Sequence, residues 1–258
     1  MVAIILTDWL GYEPTRVKRV GQTPMQVGAA PLLAALQRFS PGVPFFVILI
    51  LNEMQPAAGA PSSTEASKGE VVKERWRLLA NQFPFISEVR FRPNIDFDIG
   101  AYDDGLQRLR FAKFDGDVLF MNSSLRGPTA DGWLARYHAL FHARDDIGLC
   151  GVTLNAMKVR DGLPESPHVQ SFFVYTSMRV LAEVFPERLY QGPFSSKAEA
   201  IARGEIAISQ AVLRRGYAIR CAAFPDFIYR PGDSWSIPMV FGWRRVPELA
   251  EKYANKIL

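Results

Sequence analysis

The chain has 258 residues, 48 % apolar and 22 % charged, and 30 basic against 26 acidic side chains leave a net charge of +4. That length and apolar share are enough to cover a sheet on both faces, and they exclude wholesale disorder. The mild charge suits an anionic small ligand or an anionic membrane surface. Basic residues occur only as short pairs such as Arg214-Arg215 and Arg244-Arg245, which argues against a nucleic-acid partner.

Val2 to Thr7 is a run rich in Ile and Val that ends at Asp8 before a loop of Gly, Pro and Thr, as a buried strand does. Gln26 to Phe39 places Val27, Ala30, Leu33, Ala34 and Leu36 close to helical spacing, and Pro41-Gly42 then ends the segment. Phe45 to Leu51 is almost wholly apolar, the pattern of a strand covered on both faces. The longest apolar run, Val43 to Leu51, is nine residues with Pro44 inside it, too short to span a bilayer. The opening MVAIILTDW lacks a basic region, so no signal peptide is expected and a cytoplasmic location is.

Residues 55–67, QPAAGAPSSTEAS, read as a flexible loop over the sheet edge reached after Thr7. A helix over Lys68–Gln82, a strand over Glu88–Arg92, a loop over 93–100 and a helix over Ala101–Lys113 follow. Asp117–Met121 is the next strand, leaving through Asn122-Ser123-Ser124. Beyond it the pattern predicts helix at Trp133–Phe141, strands at Gly148–Asn155 and Val169–Tyr175, helices at Ser177–Phe185 and Gly204–Arg215, and a last strand at Tyr217–Ala222. The alternation specifies an α/β class, a three-layer α/β/α arrangement with a mostly parallel central sheet. Residues 1–230 read as one domain, with 231–258 a loop and an amphipathic helix (Pro247–Ile257) packed on it. Trp235, Trp243, Arg244 and Arg245 in that segment suit either packing or peripheral contact with a membrane surface.

Open α/β sheets bind ligands beyond the carboxyl ends of their strands. The polar residues predicted there are Asp8, Asn52 with Glu53, Asn94, Asp96, Asp98 and Asn122-Ser123-Ser124. Each is either a ligand contact or a turn residue, and Asp98 is also a candidate helix cap. Gly100 admits either close approach of a ligand or a tight turn. Asp115-Gly116-Asp117 spells the D-x-D of a metal-bound nucleotide diphosphate, but it precedes its strand and reads as a turn at the opposite edge. The strand exit itself offers one amide and two hydroxyls and no negative ligand. Asn122 is therefore the candidate metal contact, and a divalent cation, Mg or Mn, stays an open cofactor.

Glu205 lies at the start of a predicted helix, where a carboxylate either compensates the helix dipole or, if the loop folds over the cleft, takes a proton from a hydroxyl. His168 precedes an apolar strand and reads as a ligand contact or a structural cap. His138 and His142 share a helix face without an H-E-x-x-H pattern, so they read as satisfied histidines. Cys150 and Cys221 lack zinc or redox spacing and read as buried free thiols. The absence of G-x-S-x-G, P-loop and G-x-G-x-x-G patterns argues against hydrolase, NTPase and classical dinucleotide-binding chemistry.

The stretches NIDFDIGAYDDGL (94–106), DVLFMNSSLRGP (117–128), HVQSFFVYTS (168–177) and GEIAISQAVLRRGYAI (204–219) resemble glycosyltransferases of the GT-A fold, and within them the rhamnan-synthesis F-like group of bacterial polysaccharide enzymes. The resemblance covers residues 1–222 or so. It implies a nucleotide-sugar donor contacted by Asp8, Asn94, Asp98, Gly100, Asn122, Ser123 and Ser124, and a saccharide or lipid-linked saccharide acceptor. It implies Glu205 as the base of an inverting transfer, acceptor or sugar contacts by His168 and Gln170, and charge from Arg126 or Arg230 on the departing diphosphate. The strand exit departs from the usual acidic form. A nucleotide- or glycan-binding relative without turnover, acting as a scaffold in a polysaccharide assembly complex, a nucleotidyltransferase needing clustered carboxylates such as Asp8, Asp96 or Asp98, and a purely structural partner in such a complex are the competing classes.

Overall fold

The computed structural model describes residues 1–20, 23–54, 63–158 and 165–235. The terminal helix and the aromatic–basic membrane patch expected within 231–258 therefore fall outside the described residues, apart from 231–235, as does most of the loop expected over 55–67. The first half runs β1 (Val2–Trp9), β2 (Arg16–Val20), β3 (Thr23–Val27), α1 (Ala29–Arg38), β4 (Phe45–Glu53), α2 (Ser63–Ala80), β5 (Ile86–Pro93), α3 (Phe97–Phe111) and β6 (Asp117–Asn122). The second runs α4 (Trp133–His142), β7 (Ile147–Gly151), β8 (Leu154–Lys158), β9 (Glu165–Val169), β10 (Phe173–Ser177), α5 (Met178–Val184), α6 (Lys197–Glu199), a π-helical turn (Ala200–Ile206), α7 (Ala207–Arg214), β11 (Ala218–Cys221) and β12 (Ile228–Tyr229).

Eight strands form one sheet in the order β12-β11-β7-β10-β6-β1-β4-β5. β1 pairs in parallel with β4 and β6, β4 with β5, and β11 with β7, whereas β10 runs antiparallel between β6 and β7 and β12 is an antiparallel edge. The central strand β1 is buried along its length up to Trp9. Its unbroken apolar text is what two covered faces require.

The ring contacts show which helices cover which face. In α3, Tyr102 lies 5.2 Å from Phe120, whereas in α4, Tyr137 lies 4.3 Å from Phe173. Phe173 stands opposite Met121 in the ladder, so it shares a face with Met121 and not with Phe120. α3 and α4 thus lie on opposite sides, and the molecule has the three layers that the alternation predicts. The α3 face is closely packed: a Cβ on Gly105 would meet Ile5 side-chain atoms at 2.6, 2.8 and 3.0 Å. Overpacking of this kind costs about 1–3 kcal/mol against about 1 kcal/mol of regained helix propensity. Gly105→Ala is therefore expected to lower the urea midpoint, by a net loss on the order of 1 kcal/mol. An unchanged or raised midpoint would show that α3 can lift off β1 freely.

Several boundaries differ from the sequence reading. Gln26 and Val27 belong to a β2–β3 hairpin rather than a helix, because they pair with Val17 and Arg16. Gly28, at φ 117° and 2.5 Å from Pro14 O at its missing Cβ, then turns the chain into α1. α2 reaches back to Ser63, taking in 63–67 of the predicted loop, and α3 starts four residues earlier than expected. The predicted strands at 148–155 and 169–175 each break in two. β7 and β10 stay in the main sheet, while β8 and β9 turn out of it as an antiparallel hairpin. Both breaks fall at polar residues, Thr153 and Gln170, whose side chains hydrogen-bond at 2.6 Å. Cys150 and Cys221 are buried and free, as expected. Among the described residues, no helix is long and apolar enough to cross a membrane.

Candidate functional site

Register alone brings the expected polar residues together at the carboxyl edge. Thr7 pairs with Asn122 across β1–β6, and Trp9 with Asn52 across β1–β4. Asn52 donates to Thr7 Oγ1 (3.3 Å) and accepts from Arg92 (2.6 Å), whose other nitrogen reaches Ile95 O (3.0 Å). Asn122 Nδ2 donates to Asp98 Oδ2 at 2.7 Å, which ties the start of α3 to the exit of β6. The Asn122 carbonyl is taken up locally, accepting from Ser124 N (3.1 Å) and Ser124 Oγ (2.5 Å).

Arg16, delivered by the β2–β3 hairpin, is the centre of charge here. It donates to Asp8 Oδ1 (3.2 Å) and to Ser123 Oγ (3.0 Å), and its guanidinium lies 4.2 Å from the Tyr12 ring centroid. A hard cation takes six or more oxygens. At this strand exit Asp8 is paired with a guanidinium and the Asn122 carbonyl accepts from Ser124, so these two residues offer a divalent ion no uncommitted ligand there.

A cavity of about 370 Å³ opens on this edge, lined among others by Trp9, Tyr12, Asn52, Asn94, Phe97, Asp98, Ser171, Lys197 and Glu205. A second hollow of about 680 Å³ shares Trp9, Asn94 and Phe97 with it. The two fall within the size range of small-molecule sites, and the aromatic walls with few convergent polar groups suit a ring-containing polar ligand. The Trp9 indole N–H is buried without an acceptor among the described residues.

Glu205 reaches this cavity from the π-helical turn, a geometry frequent at functional sites. The helical segment begins at Lys197, capped by Ser196, whose Oγ accepts from Glu199 N at 3.2 Å. Glu205 is therefore not at a helix start, and compensation of a helix dipole does not explain it. Its Oε2 accepts from Ser171 N (2.6 Å) and Ser171 Oγ (2.5 Å), and its Oε1 lies 3.5 Å from His168 Nε2. Burial alone would raise its pKa, but His168 and the Ser171 hydrogen bonds outweigh it and hold the carboxyl below the usual range. His168 Nδ1 donates to Ser166 O at 2.8 Å, so His168 can hold down the Glu205 carboxyl only with a second proton on Nε2. The contact with Glu205 is then attractive only with a proton on one of the two.

The other expected residues are distributed unevenly. Asp98, Asn122 and Ser124 are joined by hydrogen bonds, Asp8 and Ser123 share Arg16, and of the expected donor contacts Asp98 and Asn94 line the cavity. His168 is fully buried behind Glu205, and Gln170 is bonded to Thr153; neither lines the cavity. Gly100 serves its own loop, because a Cβ there would meet Ile95 O at 2.3 Å. Asp98 is in the first turn of α3, not its cap, and the N-cap residue Asp96 spends both oxygens on Tyr190 OH and Phe194 N (2.5 Å each). With Asp8 paired to Arg16 and Asp96 so engaged, the carboxylate cluster of a nucleotidyltransferase does not form. Arg230 pairs with Asp146 at 3.1 Å, before the start of β7 and so at the other edge, while Arg126 is exposed after β6. Arg16, Arg92, Lys197 and Trp9 were not among the residues singled out in the sequence. The one signal for Arg16 was a cation shortly after the first strand, and it is common to many loops.

Asp117 opens β6 at the amino edge, as its D-x-D position predicts, but it is more than a turn residue. Its Oδ2 accepts from Tyr175 OH (2.8 Å) and lies 2.8 Å from His142 Nε2 and 3.7 Å from His138 Nε2. The three ligand atoms all lie within 4.8 Å of one another, a set capable of holding a divalent cation. Burial, and then the neighbouring His142, lower the pKa of His138.

The family model described as "Rhamnan synthesis protein F" matches residues 66–223. No curated protein sequence matches the chain. Among solved structures the chain is similar to a cytidylyltransferase from Leptospira borgpetersenii serovar Hardjo-bovis (strain JB197), with a TM-score of 0.44, 11 % identity, and 85 % of this chain and 74 % of that one covered. It is also similar to a UTP-bound UGPase from Acinetobacter baumannii, with a TM-score of 0.39, 10 % identity and 86 % of each chain covered. Because the matched segment takes up more than half of the sequence and contains α3, β6 and the π-helical turn that build the cavity, the chain belongs to the rhamnan synthesis protein F family.

Proposed function

We propose that this chain is a cytoplasmic glycosyltransferase that moves a sugar from a nucleotide-diphospho-sugar to a saccharide acceptor, with inversion, in bacterial surface polysaccharide synthesis. The observation that carries the reading is the meeting of Asp98, held by Asn122, with Glu205 around one cavity at the carboxyl edge. In this reading Arg16 and Ser123 face the diphosphate, and Trp9, Tyr12 and Phe97 supply stacking surface for rings. Glu205 takes the proton of an acceptor hydroxyl as its oxygen bonds to the anomeric carbon. The bond from that carbon to the diphosphate breaks, and the nucleoside diphosphate leaves with the electron pair. Donors aimed at the charge that develops there matter most for the rate.

A second reading, a nucleotide- or glycan-binding relative without turnover, is favoured by one observation. Glu205 Oε2 accepts two hydrogen bonds from Ser171 and the carboxyl pKa is lowered, which weakens it as a base. The first test is a thermal-shift series against UDP-, dTDP-, GDP- and CMP-sugars. A ligand that binds only the native state raises the midpoint. A shift of several degrees with one donor class, accompanied by transfer to an acceptor, is the expected result. A shift without transfer leads to the nucleotide-binding reading, and no shift with any donor in folded protein removes the transferase and leaves glycan binding or a scaffold role.

A further inference from the structure

We propose that Asp117, His138 and His142 form a binding site for one transition-metal ion of the Zn²⁺ kind, at the edge of the sheet opposite the cavity. His138 and His142 are four residues apart on α4, hence on one helix face, and that face lies over the first residue of β6. Zinc bonds of about 2.0–2.2 Å in a tetrahedral site set ligand atoms about 3.3 Å apart. The 2.8 and 3.7 Å separations from Asp117 Oδ2 to the two imidazole nitrogens straddle that value, and the two imidazoles, with ligand atoms within 4.8 Å of each other, have to turn towards one another to complete the set. Tyr175 OH holds the carboxylate from the sheet side, the kind of supporting hydrogen bond that orients a metal ligand.

The donor set decides the class of ion. Two imidazoles and one carboxylate suit Zn²⁺, Co²⁺ or Ni²⁺, whereas Mg²⁺ and Ca²⁺ take all-oxygen shells. Alternative soft ligands are scarce. The chain has three histidines and two cysteines, and His168, Cys150 and Cys221 are fully buried. With side chains 40 % and 46 % exposed, His138 and His142 leave the remaining coordination position open to water. At this place an ion fastens α4 to β6 and stays away from the diphosphate chemistry.

The test uses tag-free, chelator-treated protein titrated calorimetrically with ZnCl₂, and with CoCl₂ followed by its visible d–d bands. One equivalent should bind and raise the melting midpoint, MgCl₂ should not compete, and His138→Gln and His142→Gln should each weaken binding at least ten-fold. His138 makes the looser of the two contacts with Asp117, so His138→Gln, checked by circular dichroism, separates lost ligation from lost fold. The absence of one saturable equivalent, or wild-type affinity in either folded variant, would overturn the site. Neither result bears on the sugar-transfer reading.

Discussion

Glu205→Gln is expected to lower sugar transfer by about 10²- to 10⁴-fold, the range of a positioned general base, while leaving donor affinity within a few-fold of wild type. The substitution is nearly isosteric and can keep the local hydrogen bonds. The glutamine carbonyl accepts from Ser171 N and Oγ as Oε2 does, and its NH₂ donates to His168 Nε2, the acceptor of the neutral ring. What is lost is the capacity to take a proton. Transfer within a few-fold of wild type would remove Glu205 as the base and leave it the role of fastening Ser171 beside the cavity.

The same variant has a readout independent of activity. A carboxyl whose pKa is lower in the native state than in the unfolded chain stabilises the fold fully above the unfolded value of about 4.3. That stabilisation fades as the pH drops through the lower native value. Glu205→Gln should therefore flatten the acid limb of the stability curve below about pH 4.3 and lower the neutral plateau by about what wild type loses through this group on acidification. An unaltered acid limb would show that the Ser171 and His168 contacts do not hold the carboxylate in solution.

Arg16→Ala is expected to weaken binding of the free nucleoside diphosphate roughly ten- to hundred-fold, the worth of a charge-assisted hydrogen bond. The upper part of that range is favoured by Asp8. Its side chain is 2 % exposed, and without Arg16 it would face the phosphates as an unpaired like charge. Arg16→Lys should fall between, because an ammonium keeps the charge but lacks the planar fork that spans Asp8 and Ser123. Added Mg²⁺ should not tighten binding if, as proposed, the guanidinium stands where a cation would compensate the diphosphate. A two-fold effect or less, or a strict Mg²⁺ requirement, would sink this assignment. Both results are read by calorimetry on the full chain.

Much of the strand-exit chemistry was legible in the sequence. Asp8, Asn122 and Ser123 follow or end apolar runs that can only be buried strands, and in a mostly parallel sheet such runs leave at one edge. The contact of Asn122 with Asp98 follows from that placement, whereas the arrival of Glu205 at the cavity depended on how the segment over 197–206 folds. The roles of His168 and Gln170 were not legible, because an apolar run reports burial and says nothing of where the chain bends. The breaks at Thr153 and Gln170 turned β8 and β9 out of the sheet and put His168 behind Glu205 instead of in front of it. Arg16 was hidden for a related reason. Its hairpin of β2 and β3 is short and mixed in composition, and its worth comes from touching Asp8 and Ser123, the latter 107 positions away.

Sequence by itself determined the layers, the mostly parallel order of the first strands and the edge at which ligands meet them. Hydrophobic periodicity and strand exits are local properties, and local properties are written residue by residue. Only the tertiary structure decided which charges are compensated and which side chains meet across the sheet. Arg16 neutralises Asp8, Ser171 and His168 restrain Glu205, and His138 and His142 close on Asp117 more than twenty residues earlier. Charge compensation and ligation act over a few ångströms of space, and the distance along the chain does not carry that information.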